Sequence, residues 1–349
     1  MRPSSSAGQS TGFLNRVSEV RTLSGAPCGR LAPSPTGALH LGNARSFLLA
    51  WLSARSRGGR VVLRIEDLDH PKVKSGAAAA ALEDLRWLGL DWDEGPDVGG
   101  PNGPYVQSER RPLYRDALNR LRAAGLVYPC TCSRRDVADA QSAPHGRDPH
   151  TLAYPGTCRG RYSSWEEAAA LLPPQRLPVW RFRVAPGVSS FDDLFLGRKS
   201  LDLASEIGDF AVARDPDGAG YMLACVVDDA AMGVTEVLRG DDLVDATHCQ
   251  MALQRALGLP RPDYAHVPLV VAQDGHRLAK RHGDTRIASF RERGMRPERI
   301  IGMLAAWSGL AQPGCEMAPR ELIDSFSLSL VPRSQVVWCG TFPENGRQT

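Results

Sequence analysis

The chain has 349 residues, 42% hydrophobic and 23% charged, which suits about two domains around a buried core. No apolar run approaches the ~18–20 residues of a membrane span, and the 34 glycines and 26 prolines follow no repeat, so membrane-spanning, collagen and solenoid readings are excluded. A net charge of +3 permits an anionic partner such as nucleic acid without demanding one.

Residues 1–26, rich in Ser, Gly and Arg, predict a disordered tail. No secretory apolar segment is visible, so the cytoplasm is the expected compartment. Gly29–Ala32 predicts a strand and Pro33–Gly37 a turn-rich loop. Leu41, Phe47, Leu48, Trp51 and Leu52 follow helical spacing up to Gly58-Gly59, and Arg60–Ile65 predicts the next strand. This order is a βαβ unit, hence a parallel sheet with covering helices. Further helices are predicted over Gly76–Leu88 and Ser108–Ala124. Strands are predicted over Val179–Val184, Tyr221–Val227, Thr235–Leu238 and His266–Val271, with a helix over Asp245–Leu257. The 69 residues after Lys280 predict helices and then irregular chain. The expected fold class is α/β, a parallel sheet split by an insertion. The expected divisions are 1–26, 27–107, an insert at 108–215, a second half at 216–284 and a helical region at 285–349.

Neither G-x-G-x-x-G after a strand nor G-x-x-x-x-G-K-[ST] occurs, so the dinucleotide fingerprint and the P-loop are both absent. The candidate phosphate device is the run from Arg30 to Asn43: Arg-Leu-Ala-Pro-Ser-Pro-Thr-Gly-Ala-Leu-His-Leu-Gly-Asn. A strand ends, Pro and Gly fix a tight loop, and a helix begins beside His40. Its free N–H groups and positive dipole end suit an anion. His40 can donate a hydrogen bond to phosphate, and Gly42 removes a Cβ from the path of a nucleotide.

This run resembles the first signature of the class I glutamyl-tRNA synthetases, whose His-x-Gly-His-type motif corresponds to His40-Leu41-Gly42-Asn43. Asn43 stands where the second histidine would be, as is common in the glutamyl branch. The second signature of that class is a flexible Lys-Met-Ser-Lys-Ser-type loop, and Arg277-Leu278-Ala279-Lys280-Arg281-His282-Gly283 lies in the corresponding place. Lys280 matches the catalytic lysine and is one of only four lysines, with Lys72, Lys74 and Lys199, among 42 basic residues. Arg277 keeps the charge of the usual lysine, whereas Ala279 loses the usual hydroxyl.

The resemblance implies a Rossmann-like catalytic domain that activates glutamate with ATP and Mg²⁺. Its implied residues are His40 and Lys280 for catalysis, with Gly42 and Asn43 beside them for ATP. The glutamate site is implied at Arg30, Leu31, Ala32, Pro33, Ser34, Glu66, Tyr221 and Arg239. Their chemistry fits: two arginines suit carboxylates, Glu66 suits an ammonium, and Tyr221 supplies a hydroxyl. Asp228 and Asp229 lack metal spacing and are expected to serve only a loop.

Cys130, Cys132 and Cys158 cluster in sequence, one ligand short of a tetrahedral zinc site. His145, His150 and Tyr154 are the candidates for the fourth ligand, and residue chemistry alone favours histidine, the commoner ligand. The resemblance favours Tyr154, since the arrangement is similar to the zinc site of the family's shortened paralogues, the glutamyl-queuosine tRNA(Asp) synthetases. The short segment after Lys280 is expected to be too small for an anticodon-binding region. The resemblance therefore implies ATP-dependent glutamylation of queuosine at the wobble position in the anticodon loop of tRNA(Asp), by a monomer without a membrane partner. The alternatives are a truncated enzyme charging tRNA(Glu) and a non-catalytic zinc- and RNA-binding relative.

Overall fold

The structure is a computed structural model and describes residues 25–68, 73–133, 135–137, 153–276, 278 and 284–340. Residues 1–24 of the predicted tail, His145, His150 and Lys280 lie outside the described residues.

The first half is the expected βαβ unit. Strand β1 (Cys28–Leu31) and strand β2 (Arg60–Leu63) pair in parallel, with Gly29 opposite Val61, and helix α1 (Leu41–Arg55) crosses between them. Helix α1 starts because His40 caps it: its Nδ1 accepts the Asn43 N–H at 3.4 Å. Its core face carries Leu41, Leu48, Leu49 and Leu52, all fully buried. Arg45 is buried with them and donates to Pro268 O at 2.7 Å and Ser308 Oγ at 3.1 Å, fastening α1 to distant parts of the chain. Helix α2 (Ala77–Trp87) follows.

Helix α3 (Arg111–Ala123) buries Tyr114, Ala117, Leu118 and Leu121, spacing that gives one apolar face. Strand β3 (Val127–Cys130), helix α4 (Trp165–Ala170) and strand β4 (Val179–Phe182) come next. Strands β5 (Val188–Asp193) and β6 (Gly197–Asp202) form a hairpin that the sequence pattern does not predict. Helix α5 (Leu203–Glu206) and strand β7 (Phe210–Ala213) complete this region. Strands β3, β4 and β7 make an antiparallel sheet in that order.

Tyr221–Val227 is not the expected strand but the start of helix α6 (Tyr221–Ala231). An unbroken apolar run is compatible with a buried strand or a buried helix, and periodicity cannot separate them. Here every residue from Leu223 to Asp229 is buried. Strand β8 (Glu236–Gly240), helix α7 (Val244–Leu257) and strand β9 (Asp263–Val267) form a second βαβ unit, with Arg239 opposite His266 in the parallel ladder. The two parallel pairs meet at Cys28: its N–H donates to Thr235 Oγ1 at 2.9 Å and its carbonyl accepts the Thr235 N–H at 2.9 Å.

The expected strand His266–Val271 is interrupted at Pro268, which has no N–H for a ladder, and resumes as β10 (Val270–Ala272). Helices α8 (Ile287–Glu292) and α9 (Pro297–Trp307) follow. The region expected to end as helix and irregular chain instead supplies strand β11 (Val336–Trp338), parallel to β10. Its isolated Val-Val-Trp run is too short to stand out as a strand without its partner. Among the described residues no helix is long and apolar enough to cross a membrane.

Candidate active site and cysteine cluster

A cleft of about 530 Å³ opens where β1 and β8 end and α1 begins. Such a position, beyond the carboxyl ends of parallel strands, is where α/β sheets seat ligands. Arg30, Ala32, Pro33, Ser34, His40, Gly42, Asn43, Glu66, Tyr221 and Arg239 all line it. Leu31 does not: strand alternation turns its side chain away from Arg30 and Ala32 and into the core, where it is fully buried. A Cβ on Gly42 would lie 3.2 Å from the His40 ring and 3.7 Å from Val270 Cβ, so glycine lets the imidazole fold over the helix start. Backbone bonds tie this start to the chain after the lysine motif. Leu41 N–H donates to Thr285 O at 3.0 Å, and Ile287 N–H donates to Leu39 O at 2.9 Å.

Charge in the cleft is held from beneath. Arg30 is buried; its Nε lies 3.6 Å from Asp229 Oδ1 and makes no hydrogen bond to a described residue. Glu66 accepts from Arg64 Nη2 at 2.9 Å and from the Cys225 thiol at 3.3 Å. Arg239 is held by several side chains at once. Its Nη1 donates to Tyr221 Oη at 3.3 Å, its Nη2 to Thr247 Oγ1 at 2.7 Å and Gln250 Oε1 at 2.9 Å, and its Nε to His266 Nε2 at 3.1 Å.

Below lies a buried ionic network that sequence analysis does not single out. Arg64 is fully buried; Nη1 donates to Asp229 Oδ1 at 2.8 Å. Burial pushes its guanidinium down, but Asp229, Glu66 and Asp228 outweigh that and hold it charged. Asp228 accepts from Arg110 Nε at 2.6 Å, Gln107 Nε2 at 2.8 Å and Tyr114 Oη at 2.8 Å. Asp228 and Asp229 are therefore buried helix residues, not loop acids. The signal was present in Val226-Val227-Asp228-Asp229-Ala230, since two acids inside an apolar run require buried partners.

The cysteines converge as expected. The Sγ atoms of Cys130, Cys132 and Cys158 all lie within 4.8 Å of one another. Tyr154 Oη is 3.3 Å from Cys130 Sγ and 3.7 Å from Cys132 Sγ, and accepts the Cys158 N–H at 2.9 Å. Sulfurs around a tetrahedral zinc stand ~3.8 Å apart, so three sulfurs within 4.8 Å of one another are compatible with such an ion. Arg181, on β4, donates from Nε to Cys130 Sγ at 3.2 Å and stacks 3.9 Å from the Tyr154 ring centre. Tyr154 is held in place by its N–H bond to Ile207 O at 3.0 Å. Gly208 beside it has φ +71° and leaves no room for a Cβ against the Tyr154 backbone.

Comparison with known proteins identifies the family. The family of class I tRNA synthetases (E and Q), catalytic domain, matches residues 28–331. A Glutamyl-Q tRNA(Asp) synthetase of Symbiobacterium thermophilum is 53% identical over 309 residues, 88% of this chain and 95% of that relative. One from Rhodopirellula baltica is 46% identical over 321 residues, 89% of this chain and 93% of that relative. The crystal structure of a glutamate tRNA ligase from Elizabethkingia meningosepticum in complex with its amino acid superposes with a TM-score of 0.74 at 27% identity, covering 90% of this chain and 68% of that one. With the match spanning the β1–β2 and β8–β9 pairs, the region between them and the cleft, the chain belongs to the class I tRNA synthetases of the glutamate and glutamine branch.

Proposed function

We propose that this protein activates L-glutamate with ATP and transfers the glutamyl group to the queuosine base at the wobble position of tRNA(Asp). The observation that carries the reading is the 53% identity to a Glutamyl-Q tRNA(Asp) synthetase over nearly the full length of that relative. The cleft is consistent with it, because one ammonium and two carboxylates need one anionic and two cationic partners, and Glu66, Arg30 and Arg239 supply them.

In this reading Glu66 pairs with the ammonium of glutamate, and Arg30 and Arg239 take its carboxylates. Tyr221 adds a hydroxyl, while Ala32, Pro33 and Ser34 form the wall. The α-carboxylate attacks the α-phosphorus of ATP. The bond to the bridging oxygen breaks, pyrophosphate leaves, and glutamyl-adenylate forms. A hydroxyl of queuosine then attacks the acyl carbon, and AMP leaves. The transition state of the first step spreads negative charge over phosphate oxygens, so positioning and electrostatic stabilisation dominate. His40, Gly42 and Asn43 at the start of α1 receive the nucleotide, and Lys280 is assigned to the same charge. ATP enters with Mg²⁺. Cys130, Cys132, Tyr154 and Cys158 would hold a structural Zn²⁺ that staples an insert spanning roughly residues 108–215.

Glutamate-dependent exchange of pyrophosphate into ATP, measured with and without tRNA(Asp), tests the activation step. Exchange is expected for the native protein and not for Lys280→Ala. Full exchange by that variant would remove Lys280 from the reaction, and no exchange by either would remove the activity.

A further inference from the structure

The Arg239 guanidinium is aimed by a chain of bonds that begins at Asp193, outside the β1–β2 and β8–β9 pairs. Arg239 Nε–H can only donate, so His266 Nε2, 3.1 Å away, must accept. The ring proton is therefore on Nδ1, which donates to Asp193 Oδ2 at 2.6 Å. Asp193 ends β5, in the hairpin between the two halves of the parallel framework. Its other oxygen is fully engaged: Oδ1 accepts the N–H groups of Phe195 at 2.9 Å, Leu196 at 2.8 Å and His266 at 3.2 Å. Asp193 and His266 are both buried, and neither lines the cleft.

We propose that Asp193 and His266 are positioning residues for glutamate: the hairpin carboxylate fixes the His266 tautomer, and that tautomer sets the orientation in which Arg239 meets a substrate carboxylate. The inference rests on the glutamate-binding reading of Arg239. It extends that reading to two residues that touch no substrate, and it makes the β5–β6 hairpin part of the amino-acid site.

Asp193→Asn supplies a strict test. Three N–H groups converge on Oδ1, so the amide oxygen must stay there and the NH₂ must face His266 Nδ1. That nitrogen must then accept, the ring proton moves to Nε2, and it confronts Arg239 Nε–H. Nitrogen-15 resonances of His266 should report this change of tautomer. Leaving a buried charged donor without an acceptor should raise KM for glutamate about tenfold or more. Turnover number and KM for ATP should stay within about twofold, as expected when ground-state binding alone is lost.

His266→Asn and His266→Gln form the second arm. Asparagine places its amide near the Nδ1 position, keeping the donor to Asp193 but leaving Arg239 Nε–H unmet. Glutamine reaches the Nε2 position and can present Oε1 to Arg239. The expected order of KM for glutamate is native, then Gln, then Asn. Equal effects of Gln and Asn, or an Asp193→Asn enzyme with native KM for glutamate, would overturn the proposal. Arg239→Lys separates the two readings. If it raises KM for glutamate while the Asp193 and His266 variants do not, only the positioning chain fails. If it leaves KM unchanged, the role of Arg239 and the proposal fall together. Should Asp193→Asn fail to fold, the His266 pair decides.

Discussion

Arg64 Nη1 donates to Asp229 Oδ1 at 2.8 Å, which joins the residue after β2 to the last turn of α6. The same oxygen lies 3.6 Å from Arg30 Nε, so one carboxylate links a fully buried arginine to one that lines the cleft. Removing one member of such a group strands a charge in a place water cannot reach. Arg64→Met should therefore lose about 3–5 kcal/mol of stability. Urea unfolding read by circular dichroism checks this, and a loss below ~1 kcal/mol, the scale of an exposed ion pair, would mean that water reaches the site.

Glu66→Gln tests the ammonium assignment. The substitution keeps shape and volume but removes the charge that the substrate cation meets. It also weakens the Arg64 contact, so stability must be measured beside activity. KM for glutamate should rise by about one to two orders of magnitude, the cost of losing one side of a buried charged hydrogen bond, with KM for ATP little changed.

Much of the site was legible because its residues are contiguous. Arg30 to Asn43 run from a strand through a Pro/Gly loop into a helix, and each step has a local signal. The grouping of Cys130, Cys132 and Cys158 was legible from ligand chemistry, whereas Tyr154 came only from the resemblance, since residue chemistry left His145 and His150 open beside it. The parts not legible depend on contacts between segments far apart in sequence. Asp193 and His266 are 73 positions apart and carry no shared pattern. The Arg64 network draws on the segment after β2, the turn before α3, α3 itself and α6, so only the folded chain shows that its charges are paired. The α6 sequence reads as a strand because its run from Leu223 to Asp229 is buried on every side, leaving no polar face there to reveal the helical period. Strand β11 was not legible because a three-residue strand is defined by its neighbour β10, not by its own composition.

Stability should fall with rising pH through one group. Asp84 on α2 is buried, and burial pushes its carboxyl up to about 6, against the pull of Arg291. An acid whose folded value lies above its unfolded value of 3.8 binds its proton more tightly in the folded state. Its contribution is complete below the unfolded value and is lost as pH rises from about 4 to about 6, up to about 2–3 kcal/mol before any relaxation around the charge. Asp84→Asn cannot ionise. Its stability relative to the native protein should therefore be greater at pH 7 than at pH 4.5. Urea midpoints at both pH values measure the difference, and a gap that is the same at both would contradict the prediction.

Arg181 offers a check on the cysteine cluster that does not depend on enzyme activity. Its positive charge faces a set of thiolates if a metal is bound, and it also holds the Asp209 carbonyl at 2.8 Å. Arg181→Met should weaken zinc retention roughly 10–100-fold in competition with a chelator, the scale of losing an outer partner of a metal ligand. Metal content by mass spectrometry after chelator titration provides the readout. Tyr154→Phe should also weaken retention, and unchanged zinc in that variant would remove the phenol from the ligand set.

The central claim is that the activated glutamate goes to queuosine and not to the 3′ end of a tRNA. Labelled glutamate and ATP, supplied with tRNA(Asp) carrying queuosine, with tRNA(Asp) lacking it and with tRNA(Glu), test this most directly. The expected result is label on the queuosine pool alone, retained after the 3′ end is removed. Label lost with the 3′ end, or label on tRNA(Glu) in place of either pool, would contradict it.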